Sequence, residues 1–256
     1  MPVVVLVDEY DNPLLKAEDE EHERITRDFF KSFFGVLKNQ DKYLKFVFFT
    51  GVTKFSKVSI FSDMNQLKDI SMLDQFSGIC GFTEKEIANN FTPEIGDMAQ
   101  HLGMTEDDCI KELRRMYDGY HFSRRSEGVY NPYSLLNALS DKTFDNYWFE
   151  SATPSFLVKT LRKRPVAVEN LDNGIVADKS EMKDYRTDNP DPVPILYQSG
   201  YLTIKYYDAK FGEYRLGYPN NEVKYGFLKS LIPYILGDNE EEKIFPAKGI
   251  VKALEN

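Results

Sequence analysis

The sequence predicts an α/β fold at its start that gives way to a mainly helical region, and three observations predict it. Val3-Val4-Val5-Leu6-Val7 is an aliphatic run that ends in Asp8 and Glu9. Residues 17–38 carry apolar side chains at helical spacing, and Tyr43-Leu44-Lys45-Phe46-Val47-Phe48-Phe49 is a second apolar run, ended by Thr50 and Gly51. Apolar runs bounded by polar turns read as buried strands, and strand–helix–strand order implies a right-handed crossover between parallel strands. Beyond residue 83 the alternation stops and helix signals succeed one another, so a new domain is expected to begin there.

Each element has its own justification. After the turn Asp11-Asn12-Pro13, Ile25, Phe29, Phe33 and Leu37 recur every four residues, with Phe30 and Phe34 widening the same face of one helix. Glu18, Asp19, Glu20, Glu21 and Glu23 in its first turns suit the positive end of a helix dipole; a solvated acidic start outranks a metal site built with His22. Residues 51–82 read as irregular. Thr83-Glu84-Lys85-Glu86 is a capping box opening a helix toward Phe91. Thr105-Glu106-Asp107-Asp108 opens a helix that runs through Leu113 to Tyr117. Asn131-Pro132-Tyr133-Ser134 opens another, and Ser155 precedes a fourth that closes at Arg162-Lys163-Arg164-Pro165. Those three cations complement the negative end of a dipole. Residues 170–192 are polar, and Pro194–Gly200 reads as a short helix stopped by glycine. Tyr201–Tyr207 and Glu213–Tyr218 flank the turn Asp208–Gly212, which is a hairpin signal. A last helix is expected over 222–236, followed by the acidic segment Asp238–Glu242 and a short amphipathic stretch. Helices followed by a hairpin wing describe a winged-helix module, which serves as DNA binder, lid or interaction domain.

Composition narrows the function classes. Hydrophobic residues make up 42% of the 256, enough for a real core, and the 19 Phe and 16 Tyr read as packing residues. A net charge of −9 argues against a main surface devoted to nucleic acid, while leaving room for a local basic patch. Cys80 and Cys109 lack CxxC spacing and are expected as buried reduced thiols. No apolar run reaches the roughly 18 residues of a membrane span, and no secretory segment opens the chain, so a cytoplasmic location is expected.

The chemistry is concentrated where the two strands end. Ligands of open α/β sheets bind at the carboxyl edge of the strands. A strand delivering Asp8 and Glu9 there is the Walker B pattern, in which one acid joins the magnesium shell and the second orients water. Thr50 emerges on the same edge, at the position called sensor 1, where a polar side chain feels the terminal phosphate. The plain alternatives are a strand followed by a solvated turn, and a threonine that only ends its strand. A metal-dependent nuclease on Asp8, Glu9 and Asp11 lacks a strand-borne Glu-x-Lys partner. His121, within Tyr117-Asp118-Gly119-Tyr120-His121-Phe122, reads as part of an aromatic packing turn rather than a catalytic base. His101 is expected at the surface. The complementary phosphate loop needs Gly-Lys followed by Ser or Thr, and the sequence contains no Gly-Lys pair.

Several blocks together resemble the predicted AAA-ATPase-like family, related to the STAND class of P-loop NTPases. They are Val5 through Leu14, Phe48 through Asn65, Ile79 through Glu84, Tyr117 through Phe122, Tyr130 through Ser134, and Asn146 through Phe149. The resemblance covers nearly the whole chain. It implies a partial P-loop NTPase parallel sheet, with Walker B and sensor 1 strands, over 1–82. A helical lid over 83–165 and a winged-helix region over 166–218 would follow. Residues 219–256 would be a linker and the start of a PD-(D/E)XK nuclease-like domain. It further implies that Asp8 holds magnesium and cofactor, that Glu9 is the catalytic base, and that Thr50 serves both catalysis and nucleotide binding. ATP and magnesium would be the cofactors of a longer parent that switches conformation on hydrolysis, with the present chain an inactive internal fragment and none bound to it. The alternative is a non-enzymatic winged-helix module on a degenerate ATPase remnant. Nucleic acid would be its partner, held through residues such as Arg114, Arg115, Arg124, Arg125, Arg162, Lys163 and Arg164.

Overall fold

The computed structural model describes residues 2–17, 19–52, 67–150, 161, 171, 174–183 and 191–235. Outside them lie Thr53 through Asn65 of the resemblance, the body of the helix expected from Ser155, Arg162, Lys163, Arg164 and the acidic segment Asp238–Glu242. The chain divides into two compact units, one of residues 1–69 with 180–199, the other of residues 70–179 with 200–256.

In the first unit, strand β1 (Val3–Val7) pairs in parallel with β2 (Leu44–Phe49), with Val5 opposite Val47 and Val7 opposite Phe49. The connection carries α1 (Asn12–Leu15) and α2 (Glu20–Asn39). The stretch read as a turn at Asp11-Asn12-Pro13 is thus a helical turn, with Pro13 where a missing N–H costs nothing. Asp19 caps α2 by accepting from the His22 amide at 2.7 Å. Leu14, Phe30 and Phe34 are buried and pack with Val7, Tyr10, Leu37 and Phe49.

Burial departs from the sequence expectation in two places. The β1 strand is not interior: Val4 is 51% and Leu6 69% exposed. Side chains alternate across a strand, so Val7 meets α2 while Val4 and Leu6 look the other way, toward a face that no described residue covers. On α2 the buried stripe is Phe30–Phe34–Leu37, whereas Ile25, Phe29 and Phe33 are more than half exposed.

The second unit is mostly helical. A two-residue strand β3 (Phe82–Thr83) pairs antiparallel with β4 (Val129–Tyr130), framing α3 (Glu84–Asn90), α4 (Thr92–Leu102) and α5 (Glu106–Tyr117). Helix α6 (Pro132–Asp141) and the short α7 (Tyr147–Glu150) follow. The capping box at Thr83 forms with both its bonds, Thr105 caps α5, and Asn131 caps α6 by accepting from Tyr133 and Ser134. The sequence reading missed α4, which begins at Thr92-Pro93 and stops at Gly103 in the left-handed conformation. His101 lies in its last turn and is exposed, as expected. Leu113, Met116, Tyr117, Tyr130, Leu135 and Ala138 form the centre of the core. Cys109 is buried there, but Cys80 is exposed, which corrects the expectation of two buried thiols.

A three-stranded antiparallel sheet, in the order β5 (Ile175–Ala177), β7 (Glu213–Gly217), β6 (Thr203–Asp208), completes the unit together with α8 (Asn221–Ile235). The hairpin is where the sequence put it, and its turn is tied by the Lys210 amide donating to Asp208 Oδ1 at 2.8 Å. The aromatic turn after α5 is a packing device. Tyr117 Oη bonds both backbone groups of Asp145 at 3.0 Å, and the His121 amide donates to Thr203 Oγ1 at 2.7 Å. Gly119 sits at φ 104°, and a Cβ there would lie 2.3 Å from the Pro219 carbonyl oxygen. Only glycine permits that approach.

Candidate functional site

The parallel ladder continues past the ends of both strands and brings the three expected residues together. Thr50 N–H donates to the Val7 carbonyl at 2.8 Å, and Tyr10 N–H donates to the Thr50 carbonyl at 3.0 Å. These bonds fix Asp8 and Glu9 between two anchored residues. Across the strand pair the Thr50 hydroxyl donates to Asp8 Oδ1, and the Glu9 amide reaches the same oxygen at 3.0 Å. Asp8 and Glu9 are exposed at the edge and Thr50 is half-buried.

Glu9 has φ 51°, the left-handed region that non-glycine residues seldom occupy. Asn12 holds it there, its side-chain amide donating to Glu9 Oε2 at 2.9 Å and its backbone N–H to the Glu9 carbonyl at 3.0 Å. The backbone turn aims the two successive carboxylates differently, so Asp8 engages Thr50 while Glu9 does not. An unusual φ of this kind is often found at functional sites.

Sequence reasoning named Asp11 and Gly51 but missed the support they give. Asp11 is 1% exposed and accepts from the Val52 amide at 3.2 Å, which pins the segment after β2 against the one after β1. Gly51 makes this possible, because a Cβ there would lie 2.4 Å from Asp11 Oδ1 and 2.7 Å from the Tyr10 ring. A glycine directly after a strand was the available signal. Burial, then the charges of Asp11 and Asp69, hold the Tyr10 phenol above its ordinary range, so it stays protonated at neutral pH.

Among the described residues no group of three or more His, Cys, Asp and Glu side chains converges on a metal position. Asp8 and Thr50 are hard oxygen donors, which suits magnesium, an ion that commonly takes one or two protein ligands and fills its shell with water and phosphate oxygens. The acid edge therefore fits magnesium with a nucleotide, and the phosphate cradle has no counterpart in the sequence.

Of the basic residues singled out earlier, three of the four that are described are engaged. Arg114 pairs with Glu84 at 2.7 Å, Arg115 pairs with Glu112, and Arg124 lies 5.5 Å over the Tyr207 ring. Sequence reasoning also missed Glu222, fully buried in the first turn of α8, where Trp148 N–H donates to Oε1 at 2.9 Å. Burial pushes its carboxyl up to about 7, and the charge of Asp145 adds to that, against the Trp148 amide.

The carboxyl edge of the parallel strand pair thus carries two acids and a threonine. Residues 1–61 match the model of the family described as predicted AAA-ATPase. Over 233 residues the chain is 37% identical to an uncharacterized protein in the vnfD 5′ region of Azotobacter chroococcum mcd 1. That alignment takes in 90% of this chain and 43% of the relative, so the chain spans less than half of the relative's length. No solved structure matches it. No helix among the described residues is long and apolar enough to cross a membrane.

Proposed function

We propose that Asp8, Glu9 and Thr50 are the acid-bearing edge of a magnesium–ATP site of the AAA-ATPase type. The single observation that carries this reading is the hydroxyl of Thr50 bonded to the Asp8 carboxylate across a parallel strand pair, at the edge where such sheets bind ligands. The match of residues 1–61 supports it. Asp8 would hold the magnesium ion, which supplies charge neutralisation on the phosphates when bound. Glu9, turned away from the Asp8–Thr50 pair, would accept the proton of the attacking water, and Thr50 would sense the terminal phosphate. Residues after 70 would act as helical lid and winged-helix module, in keeping with the three-stranded sheet and the β6–β7 hairpin. In a longer protein containing this segment, hydrolysis would switch the lid.

The reading makes a divided prediction. The 256-residue chain, without a Gly-Lys phosphate loop, does not bind MgATP tightly through Asp8; calorimetry that finds micromolar, Asp8-dependent binding contradicts this. In a longer protein carrying this segment and a phosphate loop, Glu9→Gln should cut hydrolysis by about a hundredfold or more while leaving ATP bound, as expected for loss of a base. Unchanged turnover would remove Glu9 from the mechanism.

A further inference from the structure

The second unit carries a cleft of about 530 Å³ that the acid edge does not use. Its walls come from the end of α5, from β6 and β7, and from the first turn of α8. Among the described residues Arg114, Arg115, Lys205, Arg215 and Lys224 line it with one carboxylate, Asp118, in a chain whose net charge is −9. Arg114 and Arg115 are neutralised by Glu84 and Glu112. Lys205 donates to the Pro219 carbonyl at 3.0 Å, and no described carboxylate ion-pairs with it or with Arg215. Gly174 leaves room for the stem of Arg215, since a Cβ there would lie 2.6 Å from Arg215 Cγ.

Two buried polar atoms on this wall lack partners. Asn220, 8% exposed, caps α8 by accepting from the Val223 amide on Oδ1 at 3.0 Å, which fixes the orientation of its amide. Its Nδ2 is then a buried donor with no acceptor. Asp118 Oδ1 is a buried acceptor with no donor. Buried polar groups are nearly always paired, and an unpaired donor beside a helix N-terminus suits an anion. Burial lowers the Lys205 ammonium below its ordinary range, partly offset by Asp118.

We propose that this cleft binds the phosphate ester of a small hydroxylated molecule, with the phosphate on Lys205, Arg215 and Asn220 Nδ2 and a ligand hydroxyl donating to Asp118. Its volume of about 530 Å³ falls within the range of small-molecule sites. Glu222, in the same first turn of α8, does not line the cleft. The site is independent of Asp8.

The test is calorimetry of the 256-residue chain with ribose 5-phosphate, ribose and inorganic phosphate. Ribose 5-phosphate should bind, ribose should not, and inorganic phosphate should be about tenfold weaker. Asn220→Asp keeps the cap acceptor while replacing the donor with a negative charge, and Arg215→Gln removes a cation; each should weaken binding at least about tenfold. Asp8→Asn should leave it unchanged, which separates this site from the ATP edge. Absence of binding at about 10 mM, or binding indifferent to both cleft variants, overturns the proposal. Equal affinity for inorganic phosphate overturns the Asp118 contact. Duplex DNA bound more tightly than the sugar phosphate, and released by the same two variants, would make the cleft a nucleic-acid surface instead.

Discussion

In the first unit Leu14, Phe30 and Phe34 are the buried side chains against the two-stranded sheet, with Met182, Ile195 and Leu196 buried elsewhere in that unit, whereas one cluster in the second unit buries thirteen described side chains around α5 and α6. The difference lies in what each apolar face meets. Leu113, Leu135 and Tyr117 are at most 1% exposed because helices surround them from several directions. Leu6 and Phe29, equally apolar, remain 69% and 62% exposed because α2 covers one face of a two-stranded sheet and presents one stripe of its own. The acid edge thus sits on a two-stranded sheet covered on one face by α2 and is held by directional bonds, among them Thr50 to Asp8 and Val52 to Asp11. The cleft sits on the second unit.

The sharpest way to break the comparison is a matched pair of leucines. Leu135→Ala removes methyl groups from a fully packed site and should cost the second unit about 2–5 kcal/mol, because the cavity relaxes only in part. Leu6→Ala should stay within about 0.5 kcal/mol, since water already meets that side chain. Trp148 is the single tryptophan and lies in the second unit, so its fluorescence during urea denaturation reads that unit selectively, while far-UV circular dichroism in the same titration reads both units. Equal losses for the two variants would show that Leu6 is covered in solution.

The sequence made the local signals of both units legible and left their burial unread. Capping is local: Thr83 with Glu86, Thr105 and Asn131 announce helix starts that form as expected. The parallel pairing of Val3–Val7 with Leu44–Phe49 followed from the crossover rule. Which face of a strand or helix finds a partner is not local. Phe29 and Phe30 are neighbours of the same type, and packing alone decides that one is exposed and the other buried. The acid edge was readable because Asp8, Glu9 and Thr50 each end an apolar run. The cleft was not, because Lys205, Arg215 and Asn220 stand on separate elements that converge only in the folded unit.

A smaller effect sharpens the account of the second unit's interior. Glu222 is fully buried, its Oε1 accepts from Trp148, and its Oε2 has no hydrogen-bond partner. Burial raises its carboxyl from the ordinary 4.5 to about 7. Between those values the unfolded chain has released a proton that the folded unit still holds, so stability falls as pH rises through this window and levels off above it. The melting temperature of wild type should therefore drop between about pH 5 and pH 8, and Glu222→Gln should flatten that slope by removing the ionisation. An unchanged slope would mean that Glu222 ionises freely within the fold.

The smallest thermodynamic effect belongs to the exposed stripe of α2. Phe29 and Phe33 stack on each other with ring centroids 6.0 Å apart, and each is more than half exposed. Their replacement by serine removes little buried area, so each change should shift stability by no more than about 0.5 kcal/mol. Solubility should respond far more. A contiguous apolar stripe favours association, and serine interrupts it. Light scattering at rising concentration should show wild type associating before Phe29→Ser/Phe33→Ser does. If instead the double variant loses stability by several kcal/mol, the stripe is packed in solution and the first unit is thicker than its described residues make it.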